Sequence, residues 1–111
     1  MENVFRGAFV FRSQDHQILT GTYFNNGLGE PYPETAKRIK PGEPLSDPFL
    51  GTFKTLWLEA SDWYQTDMEI TKSSNSPVYH VKWTKDGKPD HEGHAVLENG
   101  ILFGYYWGCP K

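Results

Sequence analysis

The chain of 111 residues holds one cysteine, Cys109. A single thiol cannot build an internal disulfide framework, so the small disulfide-stapled secreted folds are excluded and a reducing compartment fits. Long apolar runs are also missing. Nothing approaches the roughly 18 residues of a membrane-spanning helix, and no membrane partner is expected. Basic charge is scarce: 11 Lys and Arg stand against 14 Asp and Glu, for a net charge of −3. They form no basic stripe, which argues against nucleic acid as a partner. Met1-Glu2-Asn3-Val4-Phe5-Arg6 lacks the charged-then-apolar pattern of a secretion signal, so a cytoplasmic location is expected. No helical pattern runs longer than a turn.

What is abundant is aromatic. Phe 7, Tyr 6 and Trp 4 make up 15% of the chain. Aromatic and β-branched residues favour strands, and the alternation agrees. Phe5, Gly7, Phe9 and Phe11 fall on one face of the first segment, with Arg6, Ala8, Val10 and Arg12 on the other. That period of two marks a half-buried strand. The same alternation sets Phe53, Thr55 and Trp57 against Leu56 and Leu58. It puts Tyr64, Thr66, Met68 and Ile70 inward, and it groups Tyr79, Val81 and Trp83 opposite His80 and Lys82.

The chain also echoes itself. Ile18-Leu19-Thr20-Gly21-Thr22-Tyr23-Phe24 has the pattern of Ile101-Leu102-Phe103-Gly104-Tyr105-Tyr106-Trp107, and Phe49-Leu50-Gly51-Thr52-Phe53 is a looser copy. Glycine inside a strand marks a bend or a close backbone approach, and such bends let a sheet curl. Asp86-Gly87 and Asn99-Gly100 are hairpin signals. They tie the last three strands into a meander of fixed register. Five of the eight prolines, Pro31, Pro33, Pro41, Pro44 and Pro48, fall between 30 and 48. That stretch reads as a stiff loop interrupted by 34–39, either a strand or one helical turn. A loop of this length tends to be functional or mobile.

The fold class expected is therefore all-β: one domain, an antiparallel meander of seven or eight strands closed into a small barrel, with an open sandwich as the alternative. Eight strands enclose just enough room for packed side chains or one small ligand.

Length, glycine-centred strands and aromatics together resemble the small up-and-down barrels of the calycin group: lipocalins, fatty-acid-binding proteins and avidins. Gly21-Thr22-Tyr23-Phe24-Asn25-Asn26 is similar to the Gly-Thr-Trp-Tyr-Asn-Gln run that opens the avidin biotin site. The chain then departs from that pattern. It continues Gly27-Leu28-Gly29 where avidins place a ligand-binding serine, and a whole strand precedes the run, so biotin binding does not carry over. The Gly-x-Trp signature of lipocalins is not clear here. Val78 to Trp107 also resembles the tail of uncharacterised bacterial barrel-type proteins, which implies a shape and no activity.

No catalytic or metal motif stands out, and no cofactor is expected. His91 and His94 are spaced three apart, which on a strand points them to opposite faces. A metal site would need His80 or His16 from other strands; solvent-facing imidazoles are the simpler reading. Glu59 falls in phase with Phe53, Thr55 and Trp57. If that face is interior, Glu59 sits at the barrel mouth with a raised pKa; if Leu56 and Leu58 face inward, it lies on the surface. Tyrosine and tryptophan join an apolar body to a polar handle, which suits an apolar pocket with a few placed polar groups.

The expected function is non-covalent binding of a small, largely apolar molecule in the barrel mouth, with the 27–48 loop nearby. Tyr23, Asn25, Trp57, Glu59, Tyr79, Trp83 and Tyr106 are the expected lining. A filled core acting by self-association, with a homodimer as the partner, is the alternative. A barrel isomerase or cyclase using Glu59 or a histidine as base comes third.

Overall fold

The computed structural model describes residues 6–59 and 62–109, with only the backbone described at 58 and 59. Eight strands follow in order: β1 (Gly7–Ser13), β2 (Ile18–Asn25), β3 (Tyr32–Pro41), β4 (Gly51–Glu59), β5 (Asp62–Lys72), β6 (Tyr79–Lys85), β7 (Lys88–Glu98) and β8 (Ile101–Gly108). Each pairs antiparallel with the next. The last returns to the first, with Gly7 opposite Tyr106 and Arg12 opposite Ile101, and the sheet closes into a barrel. The open sandwich is excluded, and no helix occurs among the described residues.

The turns behave as their residues require. Asp86 and Gly87 have φ of 53° and 77°, and Asn99 and Gly100 have 51° and 77°. Two consecutive positive φ values define the type I′ hairpin, whose twist matches that of the flanking strands. The echoed glycines serve close approach. A Cβ on Gly21 would collide with the Val10 carbonyl oxygen, and one on Gly104 with that of His94. These are cross-strand neighbours on β1 and β7, so any side chain there would push the sheet apart.

The proline-rich stretch differs from a loop. Its middle is β3, ten residues long, paired to β2 and β4. Pro33 sits one residue into the strand and points outward, opposite Thr22, a position near a strand start where proline is tolerated. A bulge at Ile39 absorbs one extra residue before Pro41. The remaining loop divides between the two ends of the barrel. Residues 26–31 join β2 to β3 at one end. Residues 42–50 join β3 to β4 at the other.

That second segment closes its end. Asp47 is its centre: the carboxylate accepts from Phe49 N at 2.9 Å and from the Tyr79 hydroxyl at 2.6 Å. The Asp47 carbonyl accepts from Arg38 Nη2 at 2.9 Å. Beside Asp47, partial burial and the carboxylate push the Tyr79 hydroxyl pKa well up. Phe49 and Leu50 are buried and join the core. Above them Phe11, Phe53, Met68, Ile70, Val81 and Leu102 fill the barrel at no more than 1% exposure. Side chains fill the interior of this half. Phe53 and Thr55 are fully buried while Leu56 is exposed, which settles the β4 face: Phe53 and Thr55 are on the interior one.

Candidate functional site

The other half is hollow. A cavity of about 160 Å³ opens there, lined by Phe9, Tyr23, Asn25, Glu34, Trp57, Trp83, His91 and Tyr106. These residues come from seven of the eight strands. Each lies at the strand end that faces the turns after β2, β4 and β6, and period two turns each one inward.

The rings form the wall. Phe9 meets Trp83 edge to face, centroids 5.3 Å apart, and Trp83 lies 5.6 Å from Tyr106. Tyr23 meets Trp57 at 6.1 Å, and Trp57 stacks on Tyr64 at 5.7 Å with the planes 16° apart. Such pairs hold one another's orientation as well as excluding water. Gly7 makes room for this wall: a Cβ there would run into the Tyr106 ring.

Polar groups are few and placed. Asn25 Nδ2 donates to the Tyr106 hydroxyl at 2.9 Å, while Asn25 Oδ1 accepts from Gly27 N at 2.9 Å. The amide is thus fixed from both sides. His91 lies opposite Trp83 in the sheet, and its Nδ1 is 2.8 Å from Asp90 Oδ2. Asp90 is the extra residue of a bulge between β6 and β7. The bulge places two successive side chains close enough to pair, as bulges beside binding sites do.

Glu34 is the least expected member. It is 5% exposed. Trp83 Nε1 donates to its Oε2 at 3.1 Å. Burial drives its pKa from 4.5 up to about 7, against smaller downward pulls from the Trp83 and Thr55 hydrogen bonds. Thr55 in turn is bonded to Thr66, Oγ1 to Oγ1 at 2.8 Å. That buried hydroxyl pair separates the hollow half from the filled one. Glu34 forms no ion pair with a lysine or arginine among the described residues.

Five of the seven residues read from the sequence, Tyr23, Asn25, Trp57, Trp83 and Tyr106, come together around this cavity. Tyr79 does not: it begins β6 at the closed end, in phase with Trp83 but two inward positions below it, bonded to Asp47. The Glu59 side chain lies outside the described residues. Of the expected 27–48 loop, only 27–31 is at the mouth. His91 is half-buried against the cavity rather than in solvent, while His94 faces outward with Tyr105, Trp107 and His80. The two histidines therefore lie on opposite sides of the sheet. Phe9, Glu34 and His91 were not expected in the lining. Glu34 shares the inward phase of β3 with Ala36 and Arg38, a set too charged for an apolar pattern to mark as interior. Comparison with known proteins finds no family profile, no curated sequence and no solved structure that matches this chain.

Proposed function

We propose that the protein binds one small, compact molecule non-covalently in the hollow half of the barrel. The observation that carries this reading is the cavity itself: aromatic walls with three polar groups, Asn25, Glu34 and His91, turned into it. Its volume sets the size class. Pockets for drug-sized ligands run from about 300 Å³, whereas a space of about 150 Å³ holds a benzene-sized molecule. The ligand is of one ring or its aliphatic equivalent, with at least one polar atom. A calycin-type relationship, lipocalin- or avidin-like, belongs with this reading and is supported by the eight-stranded meander and the Gly21–Asn26 run.

Titration with phenol and indole, followed by tryptophan fluorescence, tests it. Trp57 and Trp83 line the cavity, so saturable quenching at one-to-one stoichiometry is expected. A folded protein that responds to neither probe would count against the pocket.

A second reading is self-association, favoured by an exposed apolar patch on the outer face. Register puts Val10 beside Phe103, and Phe103 beside Val96. Phe24 and Tyr105 flank them, at 50% and 55% exposure. Adjacent exposed apolar side chains mark contact surfaces, and the occupant proposed is a second copy of this chain. Sedimentation velocity should then show a dimer that Phe103→Lys dissociates; a monomer at all concentrations rules this reading out.

A further inference from the structure

The Glu34 carboxylate sits in a place where an anion is poorly served. The side chain is buried, no lysine or arginine among the described residues pairs with it, and its hydrogen bonds come from an indole N–H and a hydroxyl. A buried charge is costly unless paired. Around the same cavity stand Phe9, Tyr23, Trp57, Trp83 and Tyr106, whose ring faces carry negative potential. Faces of this kind attract ammonium groups, tryptophan most strongly. The mouth already shows the behaviour: Lys85 Nζ lies 5.6 Å from the centroid of Tyr64, the ring on which Trp57 stacks.

We infer that the ligand is a small organic cation, an alkylammonium or quaternary ammonium compound, with Glu34 as its counter-ion and the aromatic rings as its walls. The inference rests on the binding reading above. A neutral ligand would leave the carboxylate as it is, whereas a cation supplies the one charge the site lacks. The other charged groups around Glu34 do not fill that role. His91 on β7 is paired with Asp90, so any charge on its ring is already matched. Arg38, two inward positions along β3, is held by Asp47 and lies over Phe53 at the closed end. From β2 and β8 come Tyr23 and Tyr106, and from β4 and β6 Trp57, Thr55 and Trp83, none of them cationic.

The test compares choline with 3,3-dimethylbutan-1-ol, its neutral isostere, by isothermal titration on the full chain. Choline is expected to bind at least tenfold tighter at pH 8. Ionised Glu34 is the form that binds, so choline affinity should fall about tenfold between pH 8 and pH 6. Glu34→Gln should weaken choline at least tenfold at pH 8 and remove the pH dependence of its binding, which a merely structural role would not do. Comparing the two probes on the unaltered protein needs no variant. Equal or tighter binding of the alcohol overturns the cation and leaves the pocket standing. Binding of neither, with phenol and indole also silent, overturns both.

Discussion

Glu34→Gln should stabilise the protein at pH 8 and leave it nearly unchanged at pH 4. The sign follows from the carboxyl's two environments. Its pKa is about 7 in the folded barrel against 4.5 as the ordinary value. Below 4.5 both states are protonated and nothing is lost. As pH rises through the interval, the unfolded carboxyl ionises while the folded one holds its proton, so folding stability falls. From about a unit above 7, where both states are ionised, the loss is complete and constant. Two and a half pH units correspond to about 3 kcal/mol. Glutamine ionises in neither state and keeps an oxygen for Trp83 Nε1. Urea unfolding at several pH values should therefore show the natural protein weakening across this interval and the variant lacking that component. Parallel stability curves for the two proteins would mean that Glu34 is not buried as an acid.

The barrel's two halves should respond very differently to truncation. Phe53→Ala removes a fully buried ring from the closed half and leaves a void that the rigid sheet cannot collapse onto. A loss of about 3 to 5 kcal/mol is expected. Trp57→Ala removes a larger ring from the mouth, where the side chain is only half-buried. Its contacts with Tyr23 and Tyr64 go, but solvent takes the space, and about 1 kcal/mol is expected. Denaturant midpoints at fixed pH measure both. Similar losses would show that the hollow half is packed as tightly as the closed one.

Much of this barrel is legible in the chain because most of its strands obey one rule. Where the inward residues are apolar, as in Phe9 and Phe11, Met68 and Ile70, or Tyr79, Val81 and Trp83, the period of two reveals both strand and face. β3 breaks the rule. Its inward positions include Glu34 and Arg38, charged residues that an apolar pattern reads as surface, and its prolines look like loop punctuation. Glu34 also owes its character to distant partners: Trp83 is 49 positions away, and neither its donor role nor the burial can be seen locally. His91 escaped for a related reason. Its exposure is set by the bulge at Asp90, and the sequence reads only a regular strand there. Tyr79 shows the opposite limit. Phase identifies the face of a strand but not the height along the barrel, and height decides which inward residues meet the ligand.

The pairing of β1 with β8 has a consequence for how the molecule is made. Gly7 and Tyr106 are neighbours in the sheet although nearly the whole chain separates them. Contacts so remote in sequence slow folding, because the closing loop must lose its freedom first. During synthesis the meander can form hairpin by hairpin from β1 to β7, but its seam stays open until β8 leaves the ribosome. Until then β1 and β7 each expose a row of unpaired N–H and C=O groups, the kind of template on which other chains add. The same strand brings Tyr106, so a nascent chain has neither a closed wall nor a finished pocket, and both arrive in one step.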